Sequence, residues 1–155
     1  MAGGLIVDYH LGNWTLSAGD LEAVARNPRS GARLDVNLPL ASFTYSWHLG
    51  DFHISDRNRV EDLDGVPGNP WRYRNRVSVE HTVTGLGPVS SVFVTDEAFL
   101  DLQTVQWTRN RTQLGFTVDI ARRAQLQLYY LRQDDRVALP SAINALGTTL
   151  VIELP

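Results

Sequence analysis

The sequence contains no cysteine and no lysine, and it has no apolar run long enough to cross a bilayer as a helix. Without cysteine, the chain can form neither a disulfide framework nor a thiolate zinc site. A transmembrane helix needs about 20 consecutive apolar residues, so helical membrane spans are excluded. The first residues, MAGGLIVDYHLGN, lack the basic and apolar regions of a secretory signal peptide.

Several kinds of functional site are also absent. The net charge of −3 is too small for the basic surface of a nucleic-acid-binding protein. No glycine-rich phosphate loop occurs. The histidines have no mutual spacing typical of metal ligands: His10, His48, His53 and His81. The sequence therefore predicts no cofactor, no metal and no nucleic-acid partner. Its length predicts a single domain that covers residues 1–155.

Alternation of apolar and polar residues with a period of two dominates the chain. This is the pattern of half-buried β-strands. Nine segments show it: LIVDYHL, WTLSAGDL, ASFTYSWHL, FHISDRNRVE, RYRNRVSVEHTV, SSVFVTDEAFLDL, RTQLGFTVDI, AQLQLYYLRQ and GTTLVIEL. Most approach the roughly 9–11 residues of a tilted membrane strand. The best helical candidate, GDLEAVARN at 19–27, fits either one or two helical turns or the tip of a long hairpin.

Short and long connections alternate between these segments. Tight links at Gly12, Gly50, 85–88 and 121–123 are separated by longer ones. Outer-membrane barrels have this arrangement, with short periplasmic turns and longer extracellular loops. The sequence therefore predicts an all-β fold, an antiparallel up-and-down transmembrane β-barrel of about 8–10 strands.

The odd number of predicted strands indicates that part of the barrel is missing from this sequence. Nine strands place the two chain ends on opposite sides of the membrane, whereas bacterial single-chain barrels have even strand numbers. We therefore expect at least one further strand and a leader upstream, so that the sequence is N-terminally truncated and the complete barrel has about ten strands.

The segment 31–49 changes its apolar face. Apolar residues occupy even positions up to Leu40 and odd positions from Phe43. A change of face predicts a bulge, a bend or a second turn near Pro39, with 32–40 forming either a strand extension or an additional strand.

Arginine at alternate positions in WRYRNRVSVEHT places Arg72, Arg74 and Arg76 on one side of a strand. An arginine facing lipid costs about 2–4 kcal/mol at the bilayer midplane. The arginine face is therefore predicted to line the barrel lumen, cross-bridged to Glu61, Glu80 and Glu97. The full set of predicted lumen residues is Arg57, Arg59, Glu61, Arg72, Arg74, Arg76, Glu80, Glu97 and Arg111.

This charged lumen permits two functions. Ion pairs can fill a narrow barrel and make it a structural element, or the arginines can line an anion-selective conduit or a small-ligand pocket. Polar residues on the predicted lipid face, Asp56, Asn58 and Asp96, must lie above the membrane or beside a bulge. Otherwise the barrel is soluble, a lipocalin-like binder of a small polar or anionic ligand.

Enzymatic signals are weak. His53 and Ser55 could form a lipid-hydrolase site, but no third orienting group accompanies them. Asp134 and Asp135, in RQDDR, are predicted to lie in a solvated loop. No catalytic residue is therefore assigned.

The order of several segments resembles an uncharacterised, domain-of-unknown-function family of bacterial outer-membrane β-barrels. The segments are ISDRNRVE (54–61), WRYRNRVSVE (71–80), VTDEAFLDL (94–102), WTRNRTQLGFTV (107–118), LQLYYLRQ (126–133) and GTTLVIEL (147–154). The resemblance covers residues 43–154 and implies an outer-membrane location, without any established activity or catalytic residues. The expected partners are the lipid bilayer and, for a conduit, small anions, with the protein a monomer.

Overall fold

The computed structural model describes residues 2–26, 33–64, 71–136 and 141–152, which form nine strands. The strands are β1 (Ala2–Leu11), β2 (Trp14–Arg26), β3 (Arg33–Leu49), β4 (Phe52–Asp62), β5 (Trp71–Thr82), β6 (Val89–Asp101), β7 (Gln106–Ala121), β8 (Ala124–Asp135) and β9 (Ala142–Ile152). They lie in one antiparallel sheet in the order of the sequence. The predicted all-β, up-and-down fold is confirmed, and β2 excludes a helix at its described residues. No helix in the described ranges is long and apolar enough to span a bilayer.

Glycine makes two of the tight turns possible. Gly12 and Gly50 have φ values of 57° and 59°, in the left-handed region that glycine adopts without steric cost. The predicted alternation of link lengths holds only in part. The link after β5, at 83–88, is longer than the link after β6, at 102–105.

The described residues fall into two compact units. The first unit contains residues 2–26, 33–45, 57–64, 71–75 and 99–107. The second unit contains residues 46–56, 76–98, 108–136 and 141–152. Each of the two side-chain clusters described below lies within one unit.

Strand β6 shows how the two faces of the sheet differ. Buried and more exposed residues alternate from Ser91 to the end of the strand at Asp101. The buried residues are Ser91, Phe93, Thr95, Glu97, Phe99 and Asp101. Val92, Val94 and Asp96 between them are exposed. The sheet therefore has a buried face rich in polar and charged groups and an exposed face that carries many apolar side chains.

The change of face in β3 involves no break in the strand. β3 pairs with β2 in one continuous register from Trp14–Tyr45 to Arg26–Arg33. The predicted second turn and additional strand are therefore wrong, and the alternative of a strand extension is correct. Leu40 is buried on one face, whereas Phe43 is exposed on the other. The apolar residues change sides because the surroundings of the strand change along its length.

The same change occurs on the exposed face of both units. In the first unit, the apolar pair Leu16–Phe43 lies nearer the tight turns than the polar pair Glu22–Asn37. In the second unit, an apolar row is followed, away from the tight turn, by a polar row. The apolar row is Leu114–Tyr130–Leu146, and the polar row is Thr112–Arg132–Asn144. An exposed face that is apolar near the tight turns and polar beyond them is typical of a membrane boundary.

Candidate functional site

The first charged cluster is centred on Glu61, near the end of β4. Its side chain is only 2% exposed. Arg72 donates from Nε to Oε2 at 3.0 Å and also from Nη2, and Arg74 donates from Nη1 to Oε1 at 2.5 Å. Arg59 lies farther away, with its Nη1 3.5 Å from Oε1. Three guanidinium groups therefore surround one buried carboxylate, as the alternation of β4 and β5 predicts.

Phe99, which lies on β6, completes the first cluster. Its ring is 2% exposed and contacts the same arginines that bind Glu61. The Cζ atoms of Arg72 and Arg74 lie 5.2 and 4.7 Å from the ring centroid. These distances fall within the range of about 6 Å for cation–π contacts. The ring therefore fixes the guanidinium planes while the carboxylate neutralises part of their charge.

The second charged cluster is centred on Glu97, whose exposed fraction is 0%. Arg76 Nε lies 3.4 Å from Oε1, and Arg111 Nη1 lies 3.9 Å from Oε2. Arg111 also donates to Gln133 Oε1 at 2.6 and 3.1 Å. Because these contacts join β5, β6, β7 and β8, the cluster crosslinks four neighbouring strands on their buried face.

The second cluster continues to Asp135 on β8. Gln133 Nε2 donates to Asp135 Oδ2 at 2.6 Å, and Arg109 Nε donates to Asp135 Oδ1 at 2.5 Å. Asp135 is 7% exposed, so the prediction that it lies in a solvated loop is wrong. Its neighbour Asp134 does face outward, where it accepts two hydrogen bonds from Arg132 at 2.9 and 3.0 Å.

Arg109, Gln133 and Asp135 were not among the predicted site residues. The period-two pattern contains a signal for them, because Arg109 is in phase with Arg111 and Asp135 is in phase with Gln133. Phe99 is likewise in phase with Glu97. The sequence predicts that this strand ends at Gln133, whereas β8 continues to Asp135.

Two further predicted site residues, Arg57 and Glu80, lie on β4 and β5. Arg57 is half-buried on β4, in phase with Arg59 and Glu61. Glu80 is half-buried on β5, and it makes no ion pair within the described part of the chain. The predicted cross-bridge to Glu80 is thus not found there. That the whole set lines a lumen stays a prediction.

The polar residues of the exposed face are joined to one another across strands. Asn58 Oδ1 accepts hydrogen bonds from Tyr73 Oη and, at 3.2 Å, from Asn75 Nδ2. Asp96 accepts from Asn110 Nδ2 at 3.0 Å and Thr112 Oγ1 at 2.8 Å. Asn58 and Asp96 therefore have polar neighbours on the exposed face that satisfy them.

No catalytic or metal-binding arrangement is found in the described ranges. His53 stacks on His48 with ring centroids 4.8 Å apart, and no hydrogen bond joins it to Ser55. Across the same ranges, no group of three or more histidine or carboxylate side chains is placed to hold a metal ion. The structure therefore adds no support for the lipid-hydrolase alternative.

Residues 5–141 match a family described as protein of unknown function (DUF2490). A search of curated proteins gave no match. A similar solved structure is that of the loop L8 deletion mutant of OmpT, an outer membrane protein of Vibrio cholerae, with a TM-score of 0.54 and 18% identity. The match covers 97% of this chain and 53% of the solved chain, so this chain spans about half the length of that structure. At this identity the likeness shows the fold alone, which is that of an outer-membrane β-barrel.

Proposed function

We propose that this chain, which belongs to the DUF2490 family of proteins of unknown function, is a non-enzymatic outer-membrane β-barrel with a structural role. In this proposal the buried face is the interior of the barrel, and arginine–carboxylate clusters fill it. The observation that carries the proposal is the burial of Glu61 and Glu97, each held by two or three guanidinium groups. Narrow barrels are filled by their own side chains in this way.

The exposed apolar side chains support the membrane location. Leu146 is 88% exposed and Leu5 is 72% exposed. Apolar patches of this kind are liabilities on a soluble protein. The apolar part of β7, from Leu114 to Ile120, is about 20 Å long at about 3.3 Å per residue. Strands of outer-membrane barrels are tilted by about 35–45°, so this part of β7 covers about 15 Å of an apolar band that is about 25 Å tall. The exposed apolar side chains disfavour the soluble lipocalin-like alternative.

The ion pairs favour a filled interior over an open conduit. A conduit needs charged groups that bind a passing ion weakly enough to release it. Here Arg72 and Arg74 hold Glu61 at hydrogen-bond distance and also pack on Phe99. An anion would have to compete with a carboxylate that is already in place.

Anion conductance tests this proposal. The chain is reconstituted into planar bilayers and chloride-loaded vesicles, and flotation with the vesicles shows that it has inserted. We expect no single-channel steps and no chloride release above that of protein-free vesicles, because the ion pairs occupy the interior. An anion-selective current from inserted protein would contradict the structural role and support the narrow conduit.

A further inference from the structure

A groove of about 700 Å³ lies on the exposed face of the second unit. Its side chains are almost entirely apolar and come from β6, β7, β8 and β9. They include Val92, Leu114, Phe116, Leu128, Leu146 and Thr148. The volume falls within the range of about 300–1,000 Å³ typical of ligand pockets, which are also mostly apolar. We call it the β6–β9 groove.

The strand register explains why a groove forms here. Two cross-strand rows follow one another on the exposed face, Leu114–Tyr130–Leu146 and Phe116–Leu128–Thr148. Thr148 is the smallest side chain of the two rows, so it leaves a depression beside Leu146.

The floor of the groove is closed from the other face of the sheet. Gly115 and Gly147 both line the groove, and both pair with Tyr129. A Cβ atom on Gly147 would lie 2.8 Å from Tyr129 Oη, because the Tyr129 ring covers this glycine on the buried face. Aromatic side chains pack over glycines of neighbouring strands in this way and seal the sheet.

Polar donors lie in the cross-strand row next to the groove, on the side away from the tight turn. Tyr130 Oη donates to Asn144 Oδ1 at 2.5 Å, which directs the tyrosine hydroxyl toward the polar row. The Asn144 amide retains its own N–H donors. Arg132, in the same row, uses Nε and Nη2 to bind Asp134 and retains further N–H groups. An apolar groove is thus followed, on the side farther from the tight turn, by a row that carries polar donors.

We propose that the β6–β9 groove binds one acyl chain of a membrane lipid that carries a phosphate group, with the phosphate at Asn144 and Arg132. The inference rests on the proposed membrane location. Within a bilayer there is no hydrophobic gain from covering an apolar face, since lipid tails surround it already. Retention of one particular chain therefore depends on close packing in the groove and on hydrogen bonds from the donors at its end.

Native mass spectrometry of the full chain in detergent tests this proposal. The probe is dipalmitoyl phosphatidylglycerol, with dipalmitoyl glycerol as the matched amphiphile that lacks the phosphate. Thr148→Trp fills the groove, and Leu150→Trp adds the same side chain two residues away on the same exposed face of β9. We expect a one-lipid peak for the wild type and for Leu150→Trp, and its loss in Thr148→Trp. Dipalmitoyl glycerol should be retained less than the phospholipid.

Other results would overturn the proposal. Equal retention by Thr148→Trp and Leu150→Trp would mean that the bound lipid is not held by the groove. A protein dimer that Thr148→Trp converts to a monomer would assign the groove to a second copy of the chain. Absence of the one-lipid peak from wild-type protein that floats with vesicles would overturn the groove proposal alone. Protein that fails to float would overturn the membrane proposal and the groove together.

Discussion

Replacing Glu61 with glutamine is expected to lower the free energy of unfolding by about 3–5 kcal/mol, the usual cost of removing one partner from a buried ion pair. Glutamine has nearly the same shape, so the loss comes from charge rather than from packing. Arg72 and Arg74, which are half-buried against Phe99, would lose the negative charge of Glu61. Urea unfolding of the refolded protein in micelles, followed by tryptophan fluorescence, measures the change.

The matched control is Asp134→Asn, which makes the same chemical change in an exposed ion pair. Asp134 binds Arg132 on the exposed face, where water screens both charges. We expect no measurable change in the unfolding midpoint for this variant. If Glu61→Gln also leaves the unfolding midpoint unchanged, the first cluster does not stabilise the fold. The proposal of an interior filled by ion pairs then fails.

Replacing Phe99 with alanine is the second change with a large expected effect. Phe99 is 2% exposed, and truncation of a buried phenylalanine costs about 3–5 kcal/mol. Part of this loss comes from the cavity, and part comes from the cation–π contacts with Arg72 and Arg74. The same unfolding experiment measures it.

Phe116→Ala provides the control for Phe99→Ala, because Phe116 is a phenylalanine on the exposed face of β7. Its side chain contacts detergent in both the folded and the unfolded protein, so its removal should cost much less. A larger loss for Phe116→Ala than for Phe99→Ala would mean that the stabilising core lies on the face we assign to lipid.

The period-two pattern predicted most of the fold because each face of these strands meets one kind of surroundings. β5 and β6 place arginine and glutamate on one face and apolar residues on the other, so the sequence alone places Arg72, Arg74 and Glu97 on the buried face of their strands. The sequence does not predict which arginines pair with which carboxylate. Glu61 takes Arg72 and Arg74, whereas Glu80 takes none of the described arginines, because pairing depends on strand stagger.

Sequence reasoning misread β3 and left a helix open for GDLEAVARN, for two different reasons. In β3 the apolar side chains change face while the register is unbroken, because the strand leaves one environment and enters another. A rule that assumes one buried face per strand reads this change as a bulge. GDLEAVARN contains good helix formers, yet Asp20 to Ala23 pair with Leu5 to Ala2 of β1. Pairing with a neighbouring strand overrides weak helix propensity.

A cysteine scan along β7 tests the central claim most directly, namely that the apolar exposed face contacts hydrocarbon and the arginine face does not. The chain has no cysteine, so spin labels can be placed singly from Thr112 to Ile120 in bilayer-reconstituted protein. We predict high oxygen accessibility at Leu114, Phe116 and Val118, and low values at the residues between them. Accessibility without a period of two, or with maxima at Gln113 and Thr117, would contradict the account.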